Sequence, residues 1–328
     1  MRDTLPQDWS SYWAHAGGPV GEVQMALTAQ RPAAILAAFW QSVFQTEFAQ
    51  SSTGRLLDMA CGAGVVIAHA VEGGQGGKLP GVELHCMDYS HAAVKLAARQ
   101  IDGVKICGTA ADARNLPYAD QAFDLIVSQF GLEYAGAEGF REAARLLAPE
   151  GELHLVLHLS GGPIHKECLA NLNLLQQFER SRLLELCRRA LVIAEQDDSA
   201  RETGSTLAGV MRSLHLALCE LRNQLLARPG GVAHAHIGRL LHDVPLLIER
   251  RLAYAPGAAL SWVDAQTQEL TGFSRRMQAM CAAAMDAEAI HQTKALLRGA
   301  GLRQVCVAQL RAAPAANPIA WTLSARAP

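Results

Sequence analysis

The sequence lacks several features that would each point to a particular class of protein. Its 328 residues carry 29 lysines and arginines against 31 aspartates and glutamates, so the basic excess usual in nucleic-acid-binding proteins is missing. No apolar run approaches the roughly 20 residues that span a bilayer, and the first residues contain no apolar stretch typical of a signal peptide. The eight cysteines are scattered and form no C-x-x-C pair, which disfavours a disulfide framework and a zinc site. We therefore expect a cytoplasmic protein with no bound metal and with neither nucleic acid nor membrane as a partner.

Short apolar segments alternate with helical ones in the first half of the chain. Five of them predict strands, at residues 55–60, 82–88, 104–108, 123–128 and 152–158, and two more follow near the end, at 305–310 and 319–323. Strands that alternate with helices form parallel sheets with helices on both faces. The sequence therefore predicts an α/β fold, a doubly wound and mostly parallel seven-stranded sheet, with a large all-helical insertion before the last helix and strands.

The chain divides into four predicted parts. Residues 1–50 form a helical segment that could act as a lid, 51–162 an α/β core, 163–287 the helical insertion, and 288–328 a final helix and two strands. In the insertion, apolar residues recur at helical spacing along two stripes, which comprise Leu207, Met211, Leu214, Leu218, Leu221 and Leu225, and then Ile237, Leu241, Val244, Ile248 and Leu252. Such stripes suit a lid over a substrate site and the surface of a homodimer equally well, so both interpretations stay open.

A glycine-rich turn follows the first predicted strand, where residues 57–64 read LDMACGAG. Gly62 and Gly64 let the backbone approach a ligand closely, and the start of the next helix offers unpaired N–H groups to it. Asp58 and Ala60 belong to the same segment, so all four are candidate binding residues. A nicotinamide dinucleotide fingerprint would have a third glycine three residues after the second, where this chain has Ile67. This position counts against a nicotinamide oxidoreductase.

Two acidic residues follow the next two strands. Asp88 ends the second strand, about 25 residues beyond the glycine turn, where a carboxylate can accept hydrogen bonds from both hydroxyls of a ribose. Asp112 follows the third strand, between Ala111 and Ala113. A carboxylate there can accept a hydrogen bond from an adenine amino group, and the small alanine leaves room for the ring. The pattern therefore indicates a ligand that contains a nucleoside.

In this order and at this spacing, the residues resemble the class I (Rossmann-like) S-adenosylmethionine-dependent methyltransferases. Two further stretches carry the resemblance. Residues 115–118 with 123–126 are similar to the family's LP(F/Y)…FD segment, and residues 147–152 are similar to its L-x-P-G-G turn before the fifth strand, with Glu150 where glycine is usual. The resemblance covers residues 55–160 well and 291–328 loosely, and it does not extend to residues 165–285.

The resemblance implies S-adenosylmethionine as the cofactor and assigns its parts to individual residues. Asp58 and the glycine turn would hold the methionine part of the cofactor. Asp88 would bind the ribose, and Met87 and Tyr89 would flank the adenine. Asp112 would accept a hydrogen bond from the adenine amino group.

The loop after the fourth strand, residues 128–134, reads SQFGLEY. Enzymes that methylate adenine amino groups or glutamine amides commonly carry an Asn/Asp-Pro-Pro-aromatic tetrapeptide there; this chain does not, and so it resembles the small-molecule branch of the family. Gln129 and Phe130 are candidate contacts to the cofactor or the acceptor. His158, at the carboxyl end of the fifth strand, is the candidate general base, and Tyr134 is a second candidate catalytic residue. His165 is an alternative base.

Two other groups of residues have competing interpretations. Tyr12 and Trp13 could fold over the cofactor as part of an N-terminal lid, or they could simply anchor a helix to the core. His234 and His236 resemble a metal-binding pair, but side chains two positions apart on a helix point to different faces, so we do not expect a metal there.

The sequence therefore predicts a methyltransferase that acts on an oxygen, nitrogen or carbon atom of a small-molecule metabolite. Two alternatives stay open. One is an RNA or protein methyltransferase, which a basic surface beside the glycine turn would favour. The other is a protein that binds S-adenosylmethionine without catalysis and serves as a scaffold or partner subunit.

Overall fold

The computed structural model describes residues 5–15, 32–50, 53–73, 81–99, 103–196, 201–227 and 230–328. The strands are β1 Gly54–Met59, β2 Val82–Asp88, β3 Ile106–Ala110, β4 Phe123–Gln129, β5 Leu147–His158, β6 Arg303–Leu310 and β7 Ala320–Arg326. The helices are α1 Leu5–His15, α2 Pro32–Gln50, α3 Val65–Gly73, α4 His91–Ala97, α5 Gly136–Leu146, α6 Pro163–Ser181, α7 Leu183–Gln196, α8 Arg201–Ala227, α9 Val232–Glu249, α10 Ala258–Ala283 and α11 Ala287–Gly299. Short 3₁₀ helices lie at Leu132–Ala135 and Arg251–Ala253.

The seven strands form one sheet in the order β3-β2-β1-β4-β5-β7-β6. The five strands from β3 to β5 pair in parallel, and β7 lies antiparallel between β5 and β6. The predicted α/β fold with a mostly parallel seven-stranded sheet is thus confirmed. Because the strand order reverses between β1 and β4, a crevice opens at their carboxyl ends, and ligands of open α/β sheets bind in such a crevice.

Alternate residues of each strand point to opposite faces of the sheet, so the apolar runs of the sequence fill two cores. On one face Leu57, Ile126 and Leu155 join a cluster that includes residues of α5 and α11. On the other face Leu56 and Val127 pack with side chains of α2, α3 and α4. Strands covered on both faces are apolar nearly throughout, which is why these segments were recognisable in the sequence.

The start of β5 differs from the sequence prediction of a turn over residues 147–152. The strand already begins at Leu147, which pairs with Phe123, but the next pair joins Leu125 to Glu152. The intervening residues therefore bulge out of the ladder. Glu150 in this bulge has a φ of +62°, the left-handed conformation that glycine adopts most readily.

The chain forms two compact units, residues 1–166 with 279–328 and residues 167–278. The first unit holds the sheet. The second is helical, and the two predicted stripes supply its buried side chains at Leu214, Leu218, Leu221, Leu225, Ile237, Leu241 and Val244. Met211 and Leu252 were wrongly assigned to the stripes. Met211 is exposed, and Leu252 lies beyond α9, which ends at Glu249, and is 90% exposed. The role of the insertion as a lid or a dimer surface stays a prediction. In the described ranges no helix is long and apolar enough to cross a membrane.

Candidate active site

The glycine turn between β1 and α3 is built from left-handed backbone conformations. Ala60, Gly62 and Gly64 have φ values of +56°, +52° and +81°. At Gly64 a side chain is also excluded by packing, because a Cβ there would lie 2.9 Å from the Cβ of Ala97 in α4. The conformation at Ala60 is strained for a residue with a Cβ, and such strain is concentrated at functional sites.

The end of β2 is hydrogen-bonded to this turn. The Cys61 N–H donates to the Met87 carbonyl oxygen at 2.9 Å, and the Ala60 N–H lies 3.3 Å from the Met87 sulfur. Met87 is fully buried, and its place beside an adenine ring stays a prediction. Its side chain fills the space beneath the turn.

Asp88 lies at the turn, as its sequence position indicates. Its Oδ2 accepts a hydrogen bond from the Gly62 N–H at 3.0 Å, and its Oδ1 accepts one from the Ser90 N–H at 2.8 Å. Burial raises the pKa of this carboxyl, and the backbone hydrogen bonds oppose that rise. The backbone N–H groups of Gly62, Ser90 and Tyr89 use only part of the acceptor capacity of this carboxylate, so Asp88 can still accept a hydrogen bond from a ribose hydroxyl. The carboxylate therefore positions the turn as well as offering a ligand contact.

Asp58 is fully buried beneath the same turn. Neither of its carboxylate oxygens accepts a hydrogen bond from the described part of the chain. Burial raises its pKa well above the usual range, and the neighbouring Cys86 and Asp88 add to the rise. A buried carboxylate without a donor is costly. A cationic group arriving at the turn, such as the ammonium of a methionine part, would offset that cost, so the site fits the predicted cofactor.

The loop after β3 reaches the same edge of the sheet, where the Ala111 N–H donates to the Asp88 carbonyl oxygen at 3.1 Å. Asp112 follows, and Arg114 Nε lies 3.0 Å from both of its carboxylate oxygens. This guanidinium lowers the pKa of the Asp112 carboxyl. An adenine amino group would therefore share that carboxylate with Arg114. Tyr89 is 55% exposed at the same edge, and Ala113 is half-buried.

The end of β4 touches the glycine turn. A Cβ on Gly131 would clash with the Cβ of Ala60 and lie 2.9 Å from its carbonyl oxygen, so the two loops are in direct contact. Phe130, just before it, has a φ of +55°, a second strained position beside the first. Gln129 Oε1 accepts a hydrogen bond from Trp40 Nε1 of α2 at 2.7 Å, and the contact of Gln129 with the cofactor or acceptor stays a prediction.

His158 and Glu133 form a buried pair beside that contact. His158 Nδ1 lies 2.7 Å from Glu133 Oε1, and the two side chains are 3% and 1% exposed. The His158 backbone N–H donates to the same oxygen at 2.9 Å. A carboxylate accepts hydrogen bonds, so Nδ1 is the donor to Glu133, and Nε2 is the ring nitrogen left for another partner. Tyr134 contacts the imidazole, with ring centroids 5.9 Å apart, and Phe130 lies closer, at 4.6 Å.

Sequence reasoning missed Glu133. The residue was visible as the one acidic position in the loop after β4, and a carboxylate between apolar neighbours is rarely buried without a partner. The partner is 25 residues away in the chain, on a neighbouring strand.

The three other histidines that the sequence singled out each have a neighbouring partner, and the role of His165 as an alternative base stays a prediction. His165 Nδ1 lies 3.0 Å from the Gly161 N–H at the start of α6, which closes a local turn. In the helical unit, His234 faces the Leu225 carbonyl oxygen, whereas His236 faces Glu269. Within the described ranges no three His, Cys, Asp or Glu side chains are grouped as metal ligands.

Comparison with known proteins adds to this geometry. Residues 56–151 match a family model described as a methyltransferase domain. A demethylmenaquinone methyltransferase from Lactobacillus johnsonii is 29% identical over 124 residues, which cover 36% of this chain and 49% of that protein. The chain thus matches about half the length of this curated relative.

Solved structures of methyltransferases are similar as well. The CurJ carbon methyltransferase has a TM-score of 0.47 and 12% identity, with 94% of this chain and 59% of that chain covered. The N-methyltransferase NodS from Bradyrhizobium japonicum, in complex with S-adenosylhomocysteine, has a TM-score of 0.36 and 16% identity, with coverages of 47% and 74%. A putative methyltransferase from Bacillus halodurans has a TM-score of 0.33 and 21% identity, with coverages of 39% and 58%.

The strand order, the glycine turn with Asp58 and Asp88, and the match of the family model agree with one another. Residues 56–151 are therefore a methyltransferase domain of the class I, S-adenosylmethionine-dependent family.

Proposed function

We propose that the protein uses S-adenosylmethionine to methylate an oxygen, nitrogen or carbon atom of a small-molecule metabolite, with His158 as the general base. The observation that carries this proposal is the buried pair of His158 and Glu133. Glu133 lies on the loop that touches the glycine turn through Gly131 and Ala60, and His158 lies at the end of the neighbouring strand β5, so the base would share one edge of the sheet with the cofactor-binding turn.

The cofactor would be held by residues at the ends of the first three strands. Asp58 and Gly62 would receive the methionine part, Asp88 the ribose, and Asp112 the adenine amino group. Tyr89, Ala111 and Ala113 would lie beside the adenine ring. The orphaned carboxylate of Asp58 supports this assignment, because a cationic partner is what it lacks.

When bound, S-adenosylmethionine supplies a methyl group already activated on a sulfonium. The protein's own tasks are to align the acceptor and, for an acceptor with a proton to lose, to remove that proton. Glu133 fixes the imidazole tautomer and stabilises the imidazolium that forms once His158 Nε2 has taken the proton. Phe130 and Tyr134 border the imidazole and exclude water from it.

Three observations support a small-molecule acceptor over a polymer. The chain has no basic excess, with a formal net charge of -2. The curated relative is named for demethylmenaquinone, a small molecule. The loop after β4 also lacks the tetrapeptide common in enzymes that methylate adenine or glutamine amides.

The first test is calorimetric titration of the full chain with S-adenosylmethionine and with S-adenosylhomocysteine, followed by mass spectrometry of candidate acceptors for the gain of one methyl group. Binding together with methylation of a metabolite supports the proposal. Methylation of RNA or protein alone would replace the acceptor class. Binding without any transfer would point to a partner subunit.

The role of the pair is tested with His158→Ala and Glu133→Gln. We expect turnover to fall by about 10² to 10³, a typical contribution of a general base, with unchanged cofactor affinity. His154 and Glu47 offer a matched control: His154 lies on the same strand as His158, four residues before it, and forms a second His–Glu pair with Glu47 of α2 at 3.2 Å. His154→Ala and Glu47→Gln should leave turnover intact. Full turnover in His158→Ala would remove it as the base.

A further inference from the structure

Helix α1 places an aromatic ring on the glycine turn. A Cβ on Gly62 would lie 2.8 Å from Cζ2 and 3.0 Å from Cη2 of Trp13, so the indole is in contact with the backbone of the turn. Gly62 is thus required twice, for its φ of +52° and for this close approach.

Three more rings continue from Trp13 toward the base. Ring centroids are 4.8 Å apart from Trp13 to Tyr12, 5.8 Å from Tyr12 to Trp9, and 5.9 Å from Trp9 to Tyr134. Tyr134 in turn contacts His158. We call Trp13, Tyr12, Trp9 and Tyr134 the aromatic row. At one end the row contacts the turn where the methionine part would lie. At the other end it contacts the base that would face the acceptor.

We propose that the aromatic row recognises the positive sulfonium of S-adenosylmethionine and so separates it from the neutral S-adenosylhomocysteine. This inference rests on the proposed function. The methyl group must pass between the glycine turn and the acceptor beside His158, and the row borders that path at both ends. Aromatic faces attract cations, and the attraction grows where water is excluded, as it is partly for these half-buried rings. The thioether left after transfer carries no charge and loses this attraction, which favours its release.

The test compares the affinities of the two cofactors by calorimetry on the full chain. Trp13→Leu keeps an apolar side chain but removes the ring, and Trp13→Phe keeps a ring. Gln7→Ala, at an exposed position of the same helix, is the control. We expect Trp13→Leu to lower the affinity for S-adenosylmethionine relative to S-adenosylhomocysteine by about three- to thirtyfold, as for loss of one cation–π contact. Trp13→Phe should keep most of the ratio, and Gln7→Ala all of it.

A Trp13→Leu protein in which both affinities fall together, or neither changes, would overturn the inference, because the ring would then be only an apolar cover. If that variant does not fold, Trp9→Leu gives the same comparison two rings along the row. A wild-type protein that binds neither cofactor would overturn the proposed function and this inference with it. The two failures are therefore distinguishable by the wild-type titration alone.

Discussion

The buried carboxyl of Asp58 should make the stability of the protein depend on pH in a direction opposite to that of most carboxylates. Burial first, and then Cys86 and Asp88, raise its pKa in the folded state well above the usual range. In the unfolded chain an aspartate titrates near about 3.9. Between these two pKa values the folded state holds a proton that the unfolded state has lost. The free energy of unfolding therefore falls as pH rises through this window, by about 1.4 kcal/mol per pH unit.

Asp58→Asn removes the titration and keeps the shape of the side chain. The free energy of unfolding of the variant should exceed that of the wild type by an amount that grows by about 1.4 kcal/mol per pH unit above roughly pH 4 and levels off at the folded-state pKa. Urea unfolding at several pH values, followed by tryptophan fluorescence, measures this difference. Glu138→Gln, at an exposed position in the first turn of α5, is the control with the same loss of charge, and its difference should stay flat.

The same substitution, although it raises the free energy of unfolding, should weaken the binding of the cofactor. If Asp58 serves the cationic end of S-adenosylmethionine, Asp58→Asn weakens binding by about tenfold or more, the size expected for a lost hydrogen bond to a charged group. Wild-type and variant stability curves that run parallel with pH would refute the buried, unpartnered state of this carboxyl. Unchanged cofactor affinity would refute its part in binding.

Two further predictions concern the rest of the cofactor site. Asp88→Asn should weaken S-adenosylmethionine binding by about tenfold or more, because it disturbs both the ribose contact and the hydrogen bond from Gly62; calorimetry with unchanged affinity would end the ribose assignment. Arg114→Ala should strengthen binding by up to about fivefold, since the ion pair that occupies Asp112 is exposed and worth no more than about 1 kcal/mol. A weaker titration of this variant would mean instead that Arg114 helps to hold the adenine.

Local patterns were sufficient to predict the strands and the cofactor turn. The runs that became β1, β2 and β4 are apolar because both faces of their sheet are covered, and that composition is readable without a structure. Gly62, Gly64 and Asp88 could be predicted as site residues because their local sequence context is characteristic as well. The turn needs left-handed backbone at its glycines, and the end of the next strand places an acid beside them.

Contacts between distant segments were decided only by the tertiary structure. The partnership of His158 with Glu133 joins residues 25 positions apart, and nothing in either local sequence specifies the other. Trp13 contacts Gly62 from helix α1, about 50 residues earlier in the chain. Met87 lies in β2, and its burial beneath the turn was not visible in the sequence. Strands and turns depend on residues that are close together in the chain, and so they could be predicted from the sequence. Which side chains meet at the edge of the sheet depends on strand order and packing, and these arise only when the whole unit folds.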